Sequence, residues 1–231
     1  MAAKKFYAVK KGKTTGVFNN WEDCKASVDG FPGAVYKGFA TLEEAEEYWS
    51  GSPSELFGGK IKVGSGEKEE LPPKDCILAY VDGSYDDSLK KYAFGCVFIK
   101  DNGCIYTEFG NGDNPQSLQH RNVTGEMLGS MYAVKVAMLE EAKAIEIRYD
   151  YEGIEKWVTG EWRSKTELTQ KYTEAMRGWS RSIEIKFTKV PAHSNVKYNE
   201  LADYLAKKGL VDGNGVPKVR KIEEMTPYRE E

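Results

Sequence analysis

Two histidines and four cysteines are all that this 231-residue chain offers in the way of soft or borderline metal ligands. Cys24, Cys76, Cys96 and Cys104 stand at spacings that fit neither a zinc motif nor a compact disulfide scaffold, so they read as buried, reduced thiols of a cytoplasmic protein. No apolar run approaches the ~20 residues that a membrane helix requires. Met1 to Lys5, with no apolar stretch behind its lysines, is not read as a secretory signal. Excess positive charge is lacking too: the formal net charge is −3, which argues against a protein basic all over. The lysines are unevenly spread, however. Residues 1–40 hold seven of them against three acids, Glu22, Asp23 and Asp29, and that local excess suits an anionic partner. No internal repeat is visible.

What is present is an ordinary globular composition, 40% hydrophobic and 30% charged, long enough for one good core and a small extra module. Residues 1–50 read as that module. A strand at Phe6–Val9 turns at Lys11-Gly12-Lys13 into a partner at Thr15–Phe18, a helix spans Trp21–Val28, and another strand follows at Val35–Phe39. Thr41 with Glu44 forms a capping box for a second short helix that turns Ala45, Tyr48 and Trp49 inward. Residues 51–74, with Gly51, Pro53, Gly58, Gly59, Gly64, Gly66, Pro72 and Pro73, have no apolar period and read as a flexible linker.

From Cys76 onward the pattern predicts strands over 77–82, 92–99 and 104–109, a helix over 125–143, a strand over 145–149 and helices over 152–159 and 166–179. A strand over 183–190 and a helix over 198–208 follow, and residues 211–231 read as a loose polar tail. Three strands joined by short turns form an antiparallel meander, to which the strand–helix–strand units add parallel strands with helices on the faces. The expectation is an α/β protein: a mixed five-stranded sheet with flanking helices over 75–210, beside a module with a three-stranded antiparallel sheet and two short helices.

Three acids stand out from the 36 of the chain. Ile77-Leu78-Ala79-Tyr80-Val81-Asp82 and Ile145-Glu146-Ile147-Arg148-Tyr149-Asp150 each carry a buried-type strand up to a carboxylate at the sheet rim, where an unpaired anion is costly. Glu126 opens the long helix on a face shared with Gly129, Ser130, Ala133 and Ala137, all small, so it points at the sheet rather than into water. Asp203, opposite Leu201 and Leu205 and beside Asn199, reads by pattern as part of an ordinary polar face. His193, in the loop after Val190-Pro191-Ala192, suits a proton carrier or a plain surface residue equally; His120 has nothing to single it out. An all-carboxylate ligand set favours a hard cation, Mg²⁺ or Mn²⁺, and a pair of such ions is the usual device for displacement at phosphorus.

Taken in order, Tyr80-Val81-Asp82-Gly83-Ser84, Gly125-Glu126-Met127, Tyr149-Asp150, His193 and Asn199-Glu200-x-x-Asp203 resemble the motifs of type 1 ribonuclease H over residues 76 to about 210. The resemblance implies an endonuclease that hydrolyses the RNA strand of RNA–DNA hybrids. Its quartet would be Asp82, Glu126, Asp150 and Asp203, holding two Mg²⁺ ions for which Mn²⁺ can substitute. It also implies that His193 and Glu200, with Asn199, assist at the metal site or in product release. Gly83, Ser84 and Asn122 occupy the positions through which the family reads RNA 2′-hydroxyls, while Val123 replaces a second asparagine.

The first module resembles the hybrid-binding domain found ahead of such nucleases and in a caulimovirus inclusion-body protein. Phe6–Gly12, Gly16-Val17-Phe18, Trp21 and Val35–Thr41 carry that likeness. It implies that Trp21 and Tyr36 pack on DNA sugars and Lys37 meets a phosphate, with Tyr7 and Lys10 nearby. Aromatics interleaved with lysines agree with that on physical grounds. Val35 and Gly38 stand where relatives often carry basic residues, which predicts weaker, less salt-dependent binding. Trp157–Trp162 runs almost directly into Arg163 and the next helix, leaving little room for the basic inserted helix of some relatives, so the first module is expected to supply much of the grip. Two rival readings stand beside this one. A DEDD-type exonuclease shares fold and metals, although Asp82-Gly83-Ser84 lacks its usual second acid. A catalytically inactive hybrid-binding scaffold would not need all four acids. The expected partner is an RNA–DNA hybrid, with no membrane, no protein partner and a monomeric state as the default.

Overall fold

The computed structural model describes residues 6–42, 45, 71–191 and 196–228. The chain divides near residue 61 into two compact units. In the first, β1 (Phe6–Lys11) pairs antiparallel with both β2 (Gly16–Phe18) and β3 (Val35–Phe39), giving the order β2-β1-β3. Helix α1 (Trp21–Val28) is started by Asn20, whose side chain accepts from the Asp23 amide at 2.8 Å. Ala8, Val9 and Cys24 form its buried centre. The predicted second helix, with Glu44, Tyr48 and Trp49, lies mostly outside the described residues, as does the linker over 51–70.

The second unit is a mixed sheet of six strands, one more than the sequence pattern predicts. Its order is β8 (Glu184–Lys189), β7 (Ala144–Tyr149), β4 (Cys76–Asp86), β5 (Lys91–Ile99), β6 (Ile105–Gly112), β9 (Thr226–Tyr228). β4, β5, β6 and β9 pair antiparallel in succession, while β7 pairs parallel with β4 and β8 parallel with β7. Side chains alternate across each strand. Ile77, Ala79 and Val81 of β4 and Phe94, Cys96 and Phe98 of β5 therefore face α3 (Asn122–Leu139) and α5 (Glu167–Trp179) in one contiguous core. Tyr80 turns the other way, onto Tyr198 of α6 (Lys197–Asp212), with ring centres 5.8 Å apart. Two shorter helices, α2 (Pro115–Leu118) and α4 (Gly153–Thr159), join these pieces; the sequence pattern missed α2, which is a single turn. Among the described residues no helix is long and apolar enough to cross a membrane.

Three expectations need correction. β4 does not end at Asp82 but continues to Asp86, because β5 keeps pairing with it out to Asp86↔Lys91; what ends at Asp82 is its burial. Of the cysteines, Cys24, Cys76 and Cys96 are buried and Cys104 is exposed in the turn before β6. Finally, residues 211–228 are not a loose tail. α6 continues to Asp212, Ile222 and Met225 are buried in the main core, and β9 closes the edge of β6 with three residue pairs. Arg220 donates to Glu108 at 2.6 Å and the Ile222 amide to Glu140 Oε1 at 2.9 Å. A three-residue strand containing Pro227 lies below any detectable alternation, and proline is tolerated there because β9 is itself an edge.

Because Ile222 is fully buried, replacing it with alanine should lower unfolding free energy by about 2–4 kcal/mol in urea titrations. A change below about 0.5 kcal/mol would show that this segment is not part of the core.

Candidate metal centre and nucleic-acid interface

The parallel ladder between β4 and β7 ends at Tyr80↔Arg148. Two residues further along each strand stand Asp82 and Asp150, so the point where the strands part is lined by two carboxylates. Glu126 reaches the same point from the second turn of α3. One oxygen from each of Asp82, Glu126 and Asp150 lies within 4.8 Å of the others. Helix α3 comes this close because its first turn meets β4 and β5 through glycine. A Cβ on Gly83 would stand 2.2 Å from the Asn122 carbonyl oxygen, and one on Gly125 only 2.0 Å from that of Ala93. Both lie far inside van der Waals contact, so a side chain at either position would push α3 off the strands.

Glu126 is 1% exposed and Asp82 9%, an unusual depth for carboxylates. The Gly83 amide donates to Asp82 Oδ1 at 2.6 Å, and the Tyr151 amide donates to Glu126. Glu126 Oε2 nevertheless stays buried with no hydrogen-bond partner. Burial, then the negative charges of Asp150 and Asp203, push the Asp82 pKa from its usual 3.8 up to about 7. Burial, with Asp150 and Asp82 adding repulsion, drives Glu126 well above the carboxylate range. Three converging carboxylates, one of them with an orphaned oxygen, fit a hard divalent cation.

Asp203, on α6, is not among the carboxylates that meet within 4.8 Å, but its charge is felt at Asp82 and its Oδ2 is paired with Lys207 at 2.5 Å. Glu200 is half-buried in the first turn of the same helix. Asn199 is buried, not on a polar face as its spacing predicts, and its Oδ1 lacks a partner. His193 lies outside the described residues. Gly83 and Ser84 continue β4 past Asp82, and the close approach of the Gly83 and Asn122 backbones puts the three proposed RNA contacts side by side. Arg121, just before Asn122, has φ 51°, a positive value uncommon outside glycine, and its guanidinium lies over the Tyr85 ring.

In the first unit Trp21 stands between Tyr7 and Tyr36, with ring centres 5.3 and 5.8 Å away. Trp21 and Tyr36 remain 41% and 44% exposed, so the trio is a surface platform rather than a core. Lys37 Nζ sits 5.5 Å over the Phe39 ring, and Lys10 is half-buried in β1. Gly38 pairs with Tyr7, and a Cβ there would meet the Tyr7 ring at 3.1 Å. Sequence reasoning missed one feature altogether. Between α4 and α5 an open groove of about 700 Å³ is lined by Trp157, Trp162, Arg163, Arg177 and Arg181. Its arginines are spread over nineteen positions, so no charge run betrays it.

A mixed sheet whose central strands part around a buried carboxylate cluster defines a class: metal-dependent enzymes of phosphodiester cleavage. Comparison with known proteins narrows it. The family described as "RNase H" matches residues 74–211, more than half of the chain, and "Ribonuclease H1 N-terminal domain" matches residues 5–49. Ribonuclease H1 of Rattus norvegicus is 28% identical over 91% of this chain and 90% of its own. Ribonuclease H of Saccharomyces cerevisiae is 51% identical over 43 residues, 19% of this chain and 12% of its own. The crystal structure of RNase H1 from the archaeon Halobacterium salinarum superposes with a TM-score of 0.50 at 24% identity, covering 60% of this chain and 99% of that one. The chain belongs to the ribonuclease H family: a metal-dependent endonuclease acting on the RNA strand of RNA–DNA hybrids.

The raised acid pKa values give a sign for stability against pH. Metal-free folded protein holds protons on Asp82 between 3.8 and about 7 that the unfolded chain has released, so stability is lost as pH rises through that window. In EDTA the unfolding free energy should therefore fall between pH 5 and pH 7, at about 1.4 kcal/mol per pH unit for one fully shifted group, and level off above that. Asp82→Asn should flatten that fall; an equal slope in the variant would show that Asp82 is not the titrating group.

Proposed function

We propose that Asp82, Glu126, Asp150 and Asp203 hold two Mg²⁺ ions and that the chain cuts RNA within RNA–DNA hybrids at this point. The observation that supports it best is the buried, unpartnered Glu126 oxygen beside Asp82 and Asp150. When bound, the ion pair supplies Lewis acidity for water activation and for charge building on the phosphate and the departing oxygen. The chain's own groups do the rest. Ionised Asp82 and Glu126 are costly in the absence of a cation, so the site accepts ions with release of protons. The amides of Gly83 and Tyr151 hold the Asp82 and Glu126 carboxylates in one orientation. Gly83, Ser84 and Asn122, on adjoining backbone, contact the 2′-hydroxyls of the strand to be cut; DNA lacks those hydroxyls and is passed over. His193 and Glu200, the latter in the first turn of α6, move protons or release product.

The Tyr7–Trp21–Tyr36 platform with Lys10 and Lys37 holds the hybrid through sugars and phosphates, independent of sequence. The groove with Arg163, Arg177 and Arg181 adds positive charge on the nuclease unit itself.

On a labelled RNA–DNA duplex, internal cuts confined to the RNA strand should require Mg²⁺ and stop with EDTA. Asp82→Asn should lower kcat at least about 100-fold while hybrid affinity holds within about threefold; substantial turnover by this variant would place the site elsewhere. Removing residues 1–60 should raise KM more than it lowers kcat, and Trp21→Ala should do the same more weakly. An unchanged KM in the truncated enzyme would remove the first module from substrate binding.

A further inference from the structure

The strand partner of Asp82 is Gly95, opposite it on β5. A Cβ on Gly95 would stand 2.2 Å from the Ala202 carbonyl oxygen, 2.6 Å from the Ala206 amide nitrogen and 2.7 Å from Leu205 Cβ. Those atoms are helix backbone or fixed to it, so no side-chain rotation relieves the overlap. α6 therefore lies directly on β5 at the row of Asp82, one residue before Asp203. Its contact face there is Ala202, Leu205 and Ala206, all fully or almost fully buried.

Both ends of α6 are tied down. At the start, Tyr198 packs on Tyr80 and on Tyr228 of β9, with ring centres 5.8 and 6.5 Å apart. At the far end, Asn111 of β6 donates to the carbonyls of Gly209 and Gly213 at 2.9 and 2.8 Å and accepts from the Gly215 amide at 2.9 Å. A helix held at both ends and pressed on a glycine in the middle can answer a methyl group there only by lifting its centre, where Asp203 is borne.

We infer that Gly95 is a positioning residue for the reaction: by letting the α6 backbone touch β5 opposite Asp82, it sets how far the Asp203 carboxylate reaches toward the metal centre. This rests on the reading of Asp203 as the fourth ligand. Gly95 touches neither substrate nor ion; it acts through the height of α6 above the sheet. A carboxylate held too far from its ion costs turnover rather than substrate affinity, and a longer side chain on the lifted helix restores the reach.

The test uses the full chain with Gly95→Ala, Asp203→Glu, the double variant and Asp203→Ala. For each, kcat and KM are measured on an RNA–DNA duplex, and Mn²⁺ affinity of the substrate-free protein by isothermal titration. Gly95→Ala should lower kcat about tenfold or more, weaken Mn²⁺ binding severalfold and leave KM within about twofold. Asp203→Glu should impair the parent enzyme yet improve the Gly95→Ala background in both kcat and Mn²⁺ affinity, a reversal that mere loss of packing does not produce. A double variant no better than Gly95→Ala, or a Gly95→Ala enzyme with parental Mn²⁺ affinity and kcat, overturns the inference. Asp203→Ala separates the two readings: full turnover there overturns Asp203 as a ligand, whereas its loss beside an unaffected Gly95→Ala overturns only the role of Gly95. Should Gly95→Ala fail to fold, Asn111→Ala frees the far end of α6 and carries the same test. It should lose kcat and Mn²⁺ affinity, with partial recovery by Asp203→Glu; unchanged values overturn the inference.

Discussion

Three carboxylates packed within 4.8 Å of one another, two of them almost out of reach of water, are a standing electrostatic strain. Asp150 raises the proton affinity of both Asp82 and Glu126, Asp82 adds to that of Glu126, and one oxygen of Glu126 has no partner at all. A fold does not hold such an arrangement for its own stability, since paired or apolar groups in the same volume would cost less. It is held because the surrounding core is rigid enough to impose it, and a divalent cation resolves the repulsion that the chain leaves open. The nuclease unit can be understood as the apparatus that keeps these side chains from moving apart or taking up compensating partners.

That apparatus is largely backbone against backbone. β4 is shared between an antiparallel partner that continues to Asp86 and a parallel partner that stops at Tyr80, and the opening between them is the site. Helix α3 closes on it through Gly83 and Gly125, and α6 approaches from the other side at Gly95. Such contacts leave no flexible side chain to absorb an error, so small shifts of a helix become shifts of a ligand oxygen. The C-terminal segment belongs to the same arrangement. Ile222 and Met225 fill the core, and Tyr228 braces the start of α6 against the sheet. A region that looks dispensable by composition is part of what keeps the helix in place.

Much of this was legible in the order of residues. The apolar runs ending at Asp82 and Asp150 announce buried strands that deliver acids, and the small face behind Glu126 announces close packing. The resemblance to type 1 ribonuclease H added Asp203, whose own helix pattern reads as plain surface. What stayed hidden had physical causes. β9 is three residues long, too short for alternation to register. Asn199 is buried by contacts from elsewhere in the fold, not by the period of its helix. The arginines of the α4–α5 groove come from a loop, a helix and the turn after it, and meet only in space. Gly95 and Gly125 look like ordinary glycines, because nothing local tells which backbone will lie against them.

Periodicity and residue chemistry are local properties that every copy of the chain carries, and from them follow the α/β class, most strands and helices of the nuclease unit, and the three acids Asp82, Glu126 and Asp150 that meet. How near those acids stand, the orphaned oxygen of Glu126 and the glycines that sit at the strand–helix contacts all come from packing in three dimensions. Distance between residues far apart in the chain is a product of packing, and packing depends on all the neighbours at once.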